Sequence, residues 1–108
     1  MACDISGSFL ERGKLALELL EIDEATENFS RAIIEENFNN PEYWSLLAES
    51  LFYQSKFDDS LECWKEVVSK DPLNKIAWIR ISALYALQQD DELAIYYYKI
   101  AEDLPIEK

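Results

Sequence analysis

Residues 41–74 read PEYWSLLAESLFYQSKFDDSLECWKEVVSKDPLN. Trp44, Leu47, Ala48 and Leu51 stand at i, i+3, i+4 and i+7, which is one face of an α-helix. Ser60, Trp64 and Val67 stand at i, i+4 and i+7 and make one face of a second helix. Gln54-Ser55-Lys56-Phe57-Asp58 is the short connection between the two. Asn40-Pro41-Glu42 is a helix start. It offers a side-chain cap, a proline where a missing N–H costs nothing, and an acid near the positive end of the helix dipole. Pro72 helps to close the second helix. The stretch is therefore a helix hairpin.

Sliding the chain against itself shows that the hairpin recurs. At a shift of 34, Trp44 falls on Trp78, Leu47 on Ile81, Leu51 on Tyr85 and Ser60 on Ala94. Trp64 falls on Tyr98, Val67 on Ala101, Asn40 on Asn74 and Lys65 on Lys99. At a shift of 35 a fainter first copy emerges, with Phe9 on Trp44, Gly13 on Ala48, Ala16 on Leu51 and Ile22 on Phe57. Ala25, Phe29 and Ala32 then fall on Ser60, Trp64 and Val67, and the extra residue lies between Ile33 and Phe38. One unit of about 34 residues is repeated three times, over roughly 6–40, 41–74 and 75–108, behind a short tail at 1–5.

The pattern resembles the tetratricopeptide repeat over nearly the whole chain. That family places a large aromatic at the fourth position, Leu at the seventh, a small residue at the eighth and Tyr at the eleventh. Ala at the twentieth, an aromatic at the twenty-fourth, Ala at the twenty-seventh and Pro at the thirty-second complete it. The middle copy matches with Trp44, Leu47, Ala48, Leu51, Ser60, Trp64, Val67 and Pro72. The third matches with Trp78, Ile81, Ser82, Tyr85, Ala94, Tyr98 and Ala101, its Pro105 one residue early. In the first, Arg12 holds the seventh position and departs from the pattern. The resemblance implies an all-α fold, a right-handed α-solenoid of three helix hairpins with about six helices. Small residues suit the eighth, twentieth and twenty-seventh positions because the two helices of a hairpin approach closely there.

Composition agrees and narrows the function. The 108 residues include only two Gly and three Pro, too few turn-makers for many short strands. There is no His, which excludes His-ligated zinc, a His general base and a Ser–His or Cys–His nucleophile pair. The net charge of −12 repels phosphate backbones, so neither nucleic acid nor an anionic membrane is an expected partner. Cys3 and Cys63 are far apart and read as reduced thiols. Met1 to Phe9 carries no Lys or Arg and is not a signal peptide, and no apolar run is long enough to span a membrane. The expected setting is cytoplasmic. Glu35/Glu36, Asp58/Asp59 and Asp90/Asp91 lie near helix ends, where acids cap and solvate. No catalytic constellation, metal site or cofactor is expected, and the chain is not read as an enzyme.

What remains is binding. In a stack of such hairpins the first helices line a concave face, and their stripes opposite the core are what a ligand would meet. On the middle copy that stripe includes Glu42, Leu46, Glu49, Phe52 and Tyr53; on the third it includes Ile76, Ile79, Arg80, Ala83 and Leu87. The expected function is a non-catalytic module that holds a peptide or amphipathic helix in an apolar groove, as an adaptor or chaperone-like subunit. Leu46, Glu49, Phe52, Tyr53, Ile79, Arg80, Ala83 and Leu87 are its candidate contacts. Glu42 and Glu49, with Glu11 and Glu18, would favour a basic partner. Some cochaperone members of the family clamp a chaperone's C-terminal carboxylate with two Lys, two Asn and one Arg. The corresponding positions here are Leu10, Lys14, Leu46, Ile76 and Arg80. Arg80 alone matches, so that ligand is not expected, and Arg80 is equally placed to pair with Glu49.

The competing reading is structural. Leu93, Tyr97 and Ile100 stand at i, i+4 and i+7 on the last helix, beside the Ala94, Tyr98 and Ala101 assigned to its own hairpin. A repeat array needs a covered terminal face. Self-association through Leu93, Tyr97 and Ile100 into a homodimeric scaffold is the alternative, as is a longer repeat protein of which this chain is a piece.

Overall fold

The computed structural model describes residues 8–105, so Cys3 and the N-terminal tail lie outside the described residues. Six helices follow one another: α1 (Phe9–Glu18), α2 (Ile22–Glu35), α3 (Pro41–Tyr53), α4 (Phe57–Lys70), α5 (Lys75–Leu87) and α6 (Asp91–Asp103). They pair as hairpins α1–α2, α3–α4 and α5–α6, and α3 and α5 each pack on the helix before them. The result is an elongated array of 51 × 29 × 22 Å.

The caps explain the starts. Ser8, Asn40 and Asn74 precede the first helix of each hairpin, and their side chains accept the amides of Glu11, Glu42 and Ala77. Glu36 has a longer reach: its carboxylate accepts the backbone N–H of Phe9 at 2.7 Å and so caps α1 from the far end of α2. The turns inside the hairpins contain no glycine. Leu20, Ser55 and Gln89 take φ of 63°, 64° and 63°. The next amide in each case donates back to the carbonyl five residues earlier, from Glu21 to Ala16, Lys56 to Leu51 and Asp90 to Tyr85. This is a Schellman ending used three times with side chains that strain to occupy it. The connection after α3 is accordingly 54–56, with Phe57 already helical.

Close approach within the hairpins takes a different chemical form in each copy. In the first, a Cβ added at Gly13 would lie 2.5 Å from Cε1 of the fully buried Phe29 ring, so only glycine lets α1 and α2 meet. In the second, buried Ser60 on α4 donates its hydroxyl to the Ala48 carbonyl on α3 at 2.8 Å. In the third the direction reverses, and Ser82 on α5 donates to the Ala94 carbonyl on α6 at 2.7 Å. Small hydroxyls thus serve where two backbones come near, because they fill little space and satisfy a carbonyl. The two tryptophans at the fourth position act alike. Trp44 Nε1 donates to Phe38 O at 2.8 Å and Trp78 Nε1 to Pro72 O at 2.7 Å, so each indole pins the loop that leads into its own helix.

Two placements differ from the periodic reading. Arg12 is exposed where Leu47 and Ile81 are buried. Helices α3 and α5 each follow a hairpin that packs on them, and no described helix precedes α1, so an arginine is tolerated there. On α6 the tyrosines exchange roles. Tyr97 is half-buried and stacks on Tyr85 at 5.3 Å and on Trp78 at 5.9 Å, inside its own hairpin. Tyr98, assigned to that core, is 47% exposed. Trp64, the equivalent residue of the second copy, reaches the following hairpin, where the Arg80 guanidinium lies over its ring, and for α6 no described helix supplies such a neighbour.

Candidate functional site

The first helices α1, α3 and α5 are tied to one another by charge. Lys14 Nζ lies 3.5 Å from Glu42 Oε2, and Arg80 lies 3.8 Å from Glu49 Oε2. Both pairs are exposed enough that water screens them and a ligand can exchange with either partner at little expense. Beneath the second pair, between α3 and α5, is a cavity of about 210 Å³ lined by Glu49, Phe52, Tyr53, Trp64, Arg80, Ala83 and Leu84. Its floor is the Trp64 indole, with the Arg80 guanidinium 6.0 Å from the ring centroid. Its wall is Phe52, which packs on Phe57 at 5.2 Å and on Tyr53 at 6.4 Å. An apolar recess with one acid and one base at its mouth can seat a hydrophobic side chain and orient the groups beside it.

Five of the eight candidate contacts, Glu49, Phe52, Tyr53, Arg80 and Ala83, come together around this cavity. Leu46, Ile79 and Leu87 are not part of its lining. Leu46 is half-buried against the core and Ile79 is half-buried, so neither is the freely facing side chain that spacing suggests. Leu87 is exposed one turn beyond. Trp64, which periodicity places only in the core, and Leu84, which the sequence reading assigns to neither face, also line the cavity. The acidic rim also shrinks. Glu42 and Glu49 already face cations of the same chain, and Glu11 lies at the outer edge of the first hairpin, beside Arg12, Leu15 and Leu19.

The self-association stripe is not a free surface. Leu93, Tyr97 and Ile100 are all half-buried, and Tyr97 is held in the stack with Trp78 and Tyr85. The large side chains that α6 exposes are Ile95, Tyr96 and Tyr98. Among the described residues no cluster of acids and cysteines could hold a metal ion, and no helix is long and apolar enough to cross a membrane. The Cys63 thiol is buried and pushed up to about 12, mainly by burial and then by Asp59, Glu66 and Glu62 nearby. At neutral pH it is a small apolar side chain rather than a nucleophile. The acidic doublets have structural uses: Asp58 accepts Gln88 Nε2 at 2.9 Å and Asp90 caps α6.

The hairpin geometry and its register have a counterpart among known families. A profile of the tetratricopeptide repeat matches residues 45–105, more than half of the chain. The chain belongs to the tetratricopeptide repeat family. The repeat is a protein-interaction module, and its solved relatives carry the same fold. Two crystal structures of MamA superpose with TM-scores of 0.85 and 0.82 at 20% and 18% identity. They cover 88% and 93% of this chain, which spans 55% and 59% of theirs, a little over half their length. A MamA mutant superposes with a TM-score of 0.83 at 20% identity, covering 98% of this chain and 77% of its own. No curated protein sequence matches the chain. Identities this low speak for the tetratricopeptide fold and for nothing finer.

Proposed function

We propose that this tetratricopeptide chain is a non-catalytic adaptor or chaperone-like module that seats an apolar side chain of a peptide or amphipathic helix between α3 and α5. The observation that carries the reading is the Trp64-floored cavity with Phe52 and Tyr53 as its wall and the Glu49–Arg80 pair at its mouth. Tyr53 is 62% exposed and Ala83 is exposed, so both are available to a ligand rather than spent on the fold. Aromatic and arginine side chains around a recess are the residue types that dominate binding energy at peptide interfaces. The loosely held Arg80 would turn from Glu49 to an acidic group of the ligand, and Glu49 to a basic one.

The test is a selection of binders from a displayed random-peptide library against the whole chain, followed by two variants. Ala83→Trp fills the recess from an exposed site, and Tyr53→Ala removes the exposed part of its wall and leaves Phe52 in place. Both should keep the helical spectrum and melting temperature, and both should lose the selected peptides by tenfold or more. Peptides that bind Ala83→Trp as tightly as the parent would show that the recess is not the site.

A further inference from the structure

The recess between α3 and α5 lies at one end of the groove. Phe52 and Tyr53 are the last two residues of α3, and the Phe57 ring that supports Phe52 opens α4. Leu87, the last residue of α5, continues the apolar path one turn beyond Ala83. Phe52, Tyr53 and Leu87 are 41%, 62% and 55% exposed, so this path is open to a ligand. It runs to the edge formed by the three turns inside the hairpins. Those turns are neighbours in space, because Gln54 donates to Asp23 and Gln88 to Asp58.

This turn edge carries most of the chain's charge. Residues 18–24, 53–59 and 87–92 contain four, two and three acids, and Lys56 is their one cation. All of these acids are exposed except Asp90, the half-buried cap of α6. The two connections between hairpins at the opposite edge, 34–42 and 69–76, hold four acids against two lysines. Six of the turn-edge acids open α2, α4 and α6, where the positive end of a helix dipole favours them. Yet α1, α3 and α5 end at the same edge with no basic residue in their last turns, so three negative dipole ends offset the three positive ones. The carboxylates therefore set up a field beside the recess that Lys56 alone opposes. We propose, resting on the recess as the site of binding, that its occupant is a basic amphipathic helix of another polypeptide. One apolar side chain of that helix fills the recess, a second lies on Leu87, and its Lys and Arg residues reach over the turn edge. The field draws such a partner in and turns an acidic one away. A second copy of this chain brings the same charge of −12 and is repelled. Nor do residues 1–7 and 106–108 of the chain itself supply a basic segment, since they contain two acids and one lysine.

The experiment uses the full chain and three fluorescently labelled amphipathic helical peptides that share one Leu and Phe face and carry Lys, Gln or Glu at every polar position. By fluorescence anisotropy the Lys peptide should bind one-to-one, at least a hundredfold more tightly than the Glu peptide and with the Gln peptide between them. Its binding should weaken as salt is raised. Two quadruple variants then separate the place of the charge from its amount. Glu18→Gln, Glu21→Gln, Asp59→Asn and Asp91→Asn together should weaken the Lys peptide at least tenfold. Glu27→Gln, Glu62→Gln, Glu102→Gln and Asp103→Asn remove as many charges away from the turns and should change it less than threefold. All eight side chains are exposed, so both variants should keep the helical spectrum, and the peptide series reads the preference on the unaltered chain. A Lys peptide that fails to saturate, a Glu peptide that binds as tightly, or equal weakening by the two variants overturns the inference and leaves the recess standing as a site. A Lys peptide that loses nothing to Ala83→Trp overturns the recess reading and the inference with it. A dimer of the chain, seen by sedimentation and dissolved by Ala83→Trp, also overturns the inference, because the occupant would then be a second copy.

Discussion

Gly13→Ala sets two magnitudes against each other. In an ordinary helix interior alanine is favoured over glycine by about 1 kcal/mol, so the substitution in α1 would stabilise the chain if nothing lay nearby. The new Cβ would, however, stand 2.5 Å from Cε1, 2.6 Å from Cδ1 and 3.1 Å from Cζ of Phe29. That ring is fully buried and has no open side to swing into. Inserting a carbon into a filled core costs about 1–3 kcal/mol, and contact with three atoms of an immobile ring belongs in the upper part of that range. The expected net loss is about 1–2 kcal/mol, or a melting temperature lower by roughly 5–15 °C for a domain of this size. Urea unfolding followed by far-ultraviolet circular dichroism measures it. The companion variant Phe29→Leu is destabilised alone. The double variant Gly13→Ala with Phe29→Leu should be more stable than the two losses together predict, by roughly 1 kcal/mol or more, because the new methyl occupies space the ring has left. A Gly13→Ala chain that melts higher than the parent would refute the claim that glycine is there to let α1 and α2 meet.

Three further outcomes are expected. Leu20→Gly should raise stability by about 0.5–1 kcal/mol, since a positive φ that strains a leucine suits glycine, and a lower melting temperature would contradict the strained-turn reading. Trp44→Phe and Trp78→Phe should each lose about 1 kcal/mol in equilibrium unfolding, because the loop carbonyls of Phe38 and Pro72 lose their indole donor while most ring packing is kept. For Cys63 the folded state holds the thiol up to about 12 against an ordinary 9.0, so folding favours the protonated form. Its contribution is fully present below pH 9 and is lost as pH rises from there towards 12. Unfolding free energies measured across that window should therefore fall less steeply in Cys63→Ala than in the parent, and alkylation at pH 8 should proceed only as fast as the chain opens.

Much of this protein is legible in one dimension. The 3.6-residue spacing of Trp44, Leu47, Ala48 and Leu51 sets the helices, and Asn40 and Asn74 set where they begin, because capping and amphipathic burial depend on neighbours a few residues away. Gly13, Ser60 and Ser82 betray the points of close approach by their size alone. Five of the groove side chains follow from the same spacing. Which side of a helix is finally covered depends on the element that follows in space, and a local pattern does not contain it. Tyr97 and Tyr98 are adjacent and chemically identical, yet one is stacked within its hairpin and the other faces outward, because Trp78 and Tyr85 lie beside the first and no described helix lies on the second. Arg12 is acceptable at a position where Leu47 and Ile81 are buried for the same reason, at the other end of the array. Periodicity belongs to each hairpin, whereas burial at the junctions belongs to pairs of hairpins, and only the assembled stack decides it.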